Sequence, residues 1–284
     1  MIIYANAKIN LALDVVNLRD DGYHETDMIM QEIDLCDKLE IELSDSGSIC
    51  LECDRSDLGN AESNIAYKAA KLFLNEFAPE KGCKIKLFKN IPVCAGLGGG
   101  SADAAAVLKG LNELCGFPAN TEMLKKLGLK LGADVPFCII GATARARGIG
   151  EVLTPVCAKK EKWLVLIKPN INISTGEAYR KIDTANYPHL NIQKAVDAIE
   201  AGNMEELYAL CGNSFEYVTG EEYPEIGRIK QYLKDKGAEF AMMSGSGPTV
   251  FGIFESERCA KDALSEYSDT CESAHVSKFV IKSV

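Results

Sequence analysis

Four glycines fall within five residues at Gly96-Leu97-Gly98-Gly99-Gly100, and the chain then runs directly into Ser101-Ala102-Asp103-Ala104-Ala105. Glycine lets a backbone approach a ligand closely, and a helix that starts there adds amide donors and the positive end of its dipole. The segment therefore reads as a phosphate cradle, and a flexible linker is the poorer reading because linkers seldom run into an alanine-rich helix. No G-x-x-x-x-G-K-[ST] loop occurs, the glycine run ends in Ser101 where a dinucleotide fingerprint needs glycine or alanine, and the His-Arg-Asp and Asp-Phe-Gly elements of protein kinases are missing. Ser101 is expected at the helix N-cap, where its hydroxyl would cap the helix, touch a phosphate or ligate Mg²⁺.

Asp134, in Leu131-Gly132-Ala133-Asp134-Val135-Pro136-Phe137, is a carboxylate in an otherwise apolar stretch. Such a group suits removal of a proton from an attacking hydroxyl, and equally suits the capping of a turn. Lys8 and Asn10 lie side by side on the polar face of an alternating segment whose other face is Ala5, Ala7, Ile9, Leu11, Leu13 and Val15. Taken alone, Lys8 reads as a site cation or as a solvated lysine.

The elements that must position these residues follow from periodicity. The start of the chain is strand-rich: the alternating segment, a turn at Asp20-Asp21-Gly22, then short strands at Ile33/Leu35, Leu39/Ile41/Leu43 and Ile49/Leu51, with Asp45-Ser46-Gly47-Ser48 as a hairpin connection. A helix follows Asn64, a strand covers Cys83 to Phe88, and a helix from Thr121 should end in a left-handed cap at Gly132. Beyond a boundary near Pro155 to Glu161, Trp163 to Ile167 reads as a buried strand and Ser174-Thr175-Gly176-Glu177 as a capping box. Helices recur at Ile192 to Ile199, Met204 to Cys211 and Glu225 to Lys236, and Met242 to Phe254 reads as strand, glycine turn, strand. Two domains, residues 1–155 and 156–284, are expected.

The 284 residues carry a formal charge of -10, which disfavours broad binding to nucleic acid or an anionic membrane. No apolar run approaches the roughly 20 residues that cross a bilayer, and a cytoplasmic protein is expected. The 11 cysteines are odd in number and scattered, as suits reduced thiols; Cys50 and Cys53 continue a strand alternation and lack a second pair at zinc spacing.

The stretch Pro92-Val93-Cys94-Ala95-Gly96-Leu97-Gly98-Gly99-Gly100-Ser101-Ala102-Asp103-Ala104-Ala105 resembles the phosphate loop of the GHMP kinases, and Met243-Ser244-Gly245-Ser246-Gly247-Pro248-Thr249 resembles their C-terminal glycine loop. Ala7-Lys8-Ile9-Asn10-Leu11, Arg19-Asp20-Asp21-Gly22-Tyr23-His24 and Gly148-Ile149-Gly150-Glu151 resemble the branch acting on a cytidine diphosphate-linked methylerythritol in the non-mevalonate (MEP) route to isoprenoid precursors. The resemblance implies an α+β, two-domain GHMP kinase fold with the active site in the interdomain cleft, ATP and Mg²⁺ as cofactors, and a monomer or weak homodimer. It implies Asp134 as catalytic base, Lys8 as its electrostatic partner, and ATP contacts along Cys94, Ala95, Gly96, Leu97, Gly98, Gly99, Gly100, Ser101, Ala102, Asp103 and Ala104. Asn10 would hold the acceptor, Tyr23 and Tyr179 would stack on the cytosine, His24 would bond its edge, and Thr175 would lie nearby. The metal ligands are open, with Ser101 as a candidate. Ala102 stands where a second serine is common, and Tyr179 where phenylalanine occurs. Alternatives are a GHMP kinase for a small alcohol such as homoserine or mevalonate, and a nucleotide-binding sensor without chemistry.

Overall fold

Alternation without a breaker makes two long strands at the start of the chain, β1 (Ile2–Leu18) and β2 (His24–Ser44), which pair with each other. The computed structural model describes residues 1–220 and 222–281. Between the strands the expected turn is present: Gly22 has φ +82°, and Asp21 Oδ1 accepts from the Tyr23 amide at 3.1 Å. The separate strands expected within residues 33–43 are one strand, since no glycine or proline interrupts β2. By compactness the described chain divides into two interleaved units: Met1–Ala7, Cys36–Val93 and Gly98–Gly141 form the first, and Lys8–Leu35, Cys94–Leu97 and the chain from Ala142 onward form the second. The units thus follow the interleaving of the chain, whereas residues 1–155 and 156–284 are the two sides of a single cut.

In the first unit, β3 (Ile49–Cys53) runs parallel to β4 (Gly82–Phe88), and β4 pairs antiparallel with the Lys38–Ser44 part of β2. The expected hairpin at Asp45 to Ser48 is therefore absent: β4 lies between the strands that it would have joined. The reason is α1 (Ile65–Phe77), capped by Asn64, which carries the chain from β3 over to a parallel β4. α2 (Gly99–Leu114) is buried along Ala102, Ala104, Ala105, Ala106, Val107 and Leu108. A side chain at Gly110 would meet Ile41 at 2.8 Å, so only glycine lets α2 lie this close to β2. α3 (Thr121–Leu129) ends with Lys130 in an α-helical conformation, and Gly132 does not adopt the left-handed cap expected of it. α4 (Val135–Ile140) follows directly.

In the second unit, β5 (Thr143–Gly148) pairs with Thr26–Gln31 of β2 and with β6 (Val152–Pro155). A four-stranded antiparallel sheet has the order β10-β7-β9-β8, from β7 (Trp163–Lys168), β8 (Phe240–Met243), β9 (Val250–Phe254) and β10 (Ser273–Lys278). The helices are α5 (Thr175–Ile182), α6 (Ile192–Ala201), α7 (Met204–Leu210), α8 (Glu216–Thr219), α9 (Pro224–Asp235) and α10 (Glu257–Ser265). Ser174 Oγ accepts from the Glu177 amide at 3.4 Å, the serine half of the expected capping box. No helix among the described residues is long and apolar enough to cross a membrane.

A buried ion cluster ties the first unit together behind the glycine loop. Lys89 Nζ donates to Asp37 and, at 2.7 Å, to Asp103 Oδ2; Asp37 Oδ1 also accepts from the Asn90 and Ile91 amides at 2.5 and 2.7 Å. Burial raises the Asp103 carboxyl well above its usual range; the charge on Lys89 opposes this and the nearby Asp37 reinforces it. Burial lowers the Lys89 ammonium, but the two carboxylates outweigh it and the net direction is up. Asp103 binds its proton more tightly folded than unfolded, so its contribution to stability is present in acid and is lost as pH rises through the raised folded value. We expect Lys89→Met, which leaves two buried carboxyls without their cation, to lower unfolding free energy by about 3–5 kcal/mol. Asp103→Asn should flatten the fall in stability between pH 6 and pH 8; urea unfolding at both pH values measures each effect.

Candidate active site

The glycine loop starts in the second unit and is set by main-chain contacts. Gly96 has φ +75°, and a side chain there would run into the Ser244 carbonyl oxygen. Ser244 Oγ donates to Gly96 O at 3.0 Å, the Thr249 amide to Ala95 O at 3.4 Å, and the Lys8 amide to Leu97 O at 3.0 Å. Asn213 Nδ2 donates to both Met243 O and Gly245 O at 2.8 Å, which fixes the C-terminal glycine turn against the same strip. Ala95 and Leu97 are buried and Cys94, with φ +50°, is exposed.

From Gly98 the loop belongs to the first unit. Gly98, at φ +68° and ψ +19°, is the N-cap of α2, and Ser101 lies inside the first turn rather than at the N-cap expected for it. The reason is conformational: the left-handed residue that redirects the chain is a glycine, and the helix begins immediately after it. The Ala102 amide already bonds to Gly98 O at 2.9 Å, so the amides without intrahelical acceptors end at Ser101. These amides and the α2 dipole favour negative charge at this end of the helix. Ala102, Asp103 and Ala104 are buried, Asp103 on Lys89.

Asp134 occupies the N-cap position of α4, but its side chain makes no capping bond to that helix, so the plain capping role does not apply there. A side chain at Gly128 would press on Val135 at 2.8 Å, and one at Gly132 would lie 3.8 Å from Ser101 Oγ. Gly128 and Gly132 thus allow the Asp134 turn to close on α3 and to approach the first turn of α2.

In the second unit, Lys8 is only 5% exposed and Asn10 fully buried, so Lys8 is not a solvated strand lysine. Lys8 Nζ donates to Asn10 Oδ1 at 2.8 Å, and Asn10 Nδ2 to Met28 Sδ at 3.2 Å. A side chain at Gly245 would lie 3.6 Å from Asn10 Oδ1, which places this pair beside the C-terminal glycine turn. Burying an ammonium is costly without polar partners, and Asn10 Oδ1 supplies one.

The aromatic residues assemble differently from a simple sandwich. His24 stacks on Tyr179 with centroids 4.4 Å apart and planes 25° from parallel, and Phe215 meets Tyr179 edge-on at 4.9 Å. His24 Nε2 and Asp183 Oδ1 are 2.6 Å apart. Tyr23 is 60% exposed, and Thr175 Oγ1 lies 2.8 Å from Ser246 Oγ, linking the start of α5 to the glycine turn. Three partners escaped sequence reasoning. Asp183 follows Tyr179 by four residues, a helical spacing that carries a signal; Asn213 and Lys89 have none.

The GHMP kinases N terminal domain matches residues 64–142, and the GHMP kinases C terminal domain residues 195–273. The 4-diphosphocytidyl-2-C-methyl-D-erythritol kinase of Geobacter metallireducens is 45% identical over 273 residues, covering 96% of this chain and 95% of the relative. That of Bacillus pumilus is 41% identical over 276 residues, covering 97% and 96%. A crystal structure of 4-(cytidine 5'-diphospho)-2C-methyl-D-erythritol kinase superposes with a TM-score of 0.83 at 32% identity, covering 98% of this chain and 99% of the other. Homoserine kinase from Cytophaga hutchinsonii reaches a TM-score of 0.75 at 19% identity, over 98% of this chain and 95% of its own, a likeness of fold alone. Near-full-length identity at this level, with both GHMP halves in place, means that the chain belongs to the 4-diphosphocytidyl-2-C-methyl-D-erythritol kinase family of GHMP kinases.

Proposed function

We propose that the protein transfers the γ-phosphoryl group of ATP to the 2-hydroxyl of 4-diphosphocytidyl-2-C-methyl-D-erythritol, giving the 2-phosphate and ADP, as a cytoplasmic step of the non-mevalonate route to isoprenoid precursors. The observation that carries this reading is the 45% identity over 96% of the chain to a relative of that name. In support, His24 and Tyr179 form a polar-edged aromatic surface that a small alcohol would not need.

In this reading the Gly98–Ser101 amides at the start of α2 bind the phosphates of ATP, and the strip from Cys94 to Leu97 orients them. Asp134 accepts the proton of the attacking hydroxyl. Lys8, held by Asn10, offsets negative charge growing on the transferred group, and Asn10 helps to hold the acceptor. Tyr23, Tyr179 and His24 hold the base, with Thr175 nearby. The Ser101 hydroxyl, in the first turn of α2, would be the protein contact of a Mg²⁺ ion bound mostly by phosphate and water. When bound, Mg²⁺ would neutralise phosphate charge.

ADP release with Mg-ATP should occur with the cytidyl compound and not with homoserine, mevalonate or galactose; turnover with only a small alcohol would remove the cytosine reading while leaving the kinase. Asp134→Asn should lower kcat by about 10²–10⁴-fold with KM for ATP little changed. Retention of turnover within a few-fold of wild type would refute the base assignment. Gly96→Ala, which forces a side chain against Ser244, should raise KM for ATP at least about tenfold, read from initial rates at saturating acceptor.

A further inference from the structure

His24 is gripped by one helix in two ways. Tyr179, on α5, covers the face of the imidazole at 4.4 Å, and Asp183, one turn later at the C-cap of α5, takes its Nε2 at 2.6 Å. Stacking fixes the plane of the ring and the hydrogen bond fixes its rotation within that plane, so together they determine where Nδ1 points. A carboxylate only accepts hydrogen bonds, so Nε2 carries a proton, and in the neutral ring Nδ1 is then the nitrogen with the lone pair.

The position of Asp183 argues that it is not there for the helix. A carboxylate at a helix C-terminus faces the negative end of the dipole, an arrangement that destabilises by a few tenths of a kcal/mol to about 1 kcal/mol. The His24–Asp183 pair also lines a cavity of about 300 Å³ with Asn17, Leu18, Asn186 and Tyr187.

We infer that Asp183 is a specificity-determining positioning residue: it holds His24 as the Nε2–H tautomer, so that Nδ1 accepts from the exocyclic amine of a cytosine and repels the carbonyl oxygen that uracil carries at the same place. This rests on the assignment of His24 to the base edge in the proposed function. The discrimination is one of hydrogen-bond polarity, where a mismatch leaves two acceptors facing each other.

The experiment compares the full-length protein with Asp183→Ala and Asp183→Glu, using the cytidine diphosphate-linked acceptor and its uridine diphosphate counterpart. Wild type should prefer the cytidyl compound, and Asp183→Ala should shrink the ratio of kcat/KM values at least about tenfold, mainly through KM for the acceptor, with KM for ATP unchanged. Asp183→Glu should restore part of the ratio. Two-bond ¹H–¹⁵N spectra of His24 without ligand should show the Nε2–H tautomer in wild type and a mixture in Asp183→Ala. Thermal unfolding of Asp183→Ala should match wild type or rise slightly. An unchanged ratio, or an Nδ1–H tautomer in wild type, overturns the proposal. If wild type phosphorylates neither compound while the spectra come out as expected, the proposed function and the selectivity fall, and the positioning of His24 by Asp183 stands.

Discussion

The close main-chain contact of Ala95–Leu97 with Ser244–Thr249 is the constraint on which the second unit's share of the site depends. Two strips of backbone meet with no side chain between them: Gly96 cannot carry one, and the Ser244 hydroxyl is spent on Gly96 O. The same strip accepts the Lys8 amide at Leu97 O, so β1 is registered against it and Lys8 and Asn10 are placed beside Gly245. Asn213 satisfies two carbonyls of the turn at once. Buried main-chain groups need partners, and here the partners are the turn, the loop and the strand that carry the candidate residues.

Several charged side chains taken out of water are held by other polar side chains. Lys8 has Asn10, Lys89 has two aspartates, and Asp14, buried on β1, accepts from Ser214 Oγ at 3.2 Å and from the Leu190 amide at 3.3 Å, with His189 Nδ1 at 3.1 Å. Such pairs contribute little net stability because desolvation offsets most of their attraction. What they supply is fixed direction, since a side chain already bound at one end has fewer positions left for the other.

Much of this was legible in the sequence because the signals were local. The alternation of Ala5 to Val15, the capping residues Asn64 and Ser174 and the turn at Gly22 dictate structure within a few residues, and the elements formed there. Errors arose where the deciding interaction was distant. A hairpin at Asp45 is a sound local reading, but the strand that pairs with β2 arrives some 40 residues later as β4. Ser101 looked like a cap because serine usually is one; the left-handed Gly98 took that position instead. For the site, glycine spacing exposed the loops, while Lys89 and Asn213 looked like ordinary polar residues, since their partners lie 14 to 52 and 30 to 32 residues away.

The frame shared with homoserine kinase at 19% identity shows that the fold does not choose the acceptor. Acceptor choice is then a matter of side chains rather than of the frame, and two segments position the candidate ones in the reading proposed above. One is the turn from Arg19 to Tyr23, closed by Asp21 and by the Arg19 amide on Tyr23 O at 2.8 Å, which sets the start of β2 and with it His24. The other is α5, eight residues long, with its start tied to Ser246 through Thr175 and its end in an aspartate that its own dipole disfavours. A helix this short has little stability of its own and depends on its contacts. An unfavourable residue kept at its end is therefore best understood through what that residue holds, the imidazole of His24.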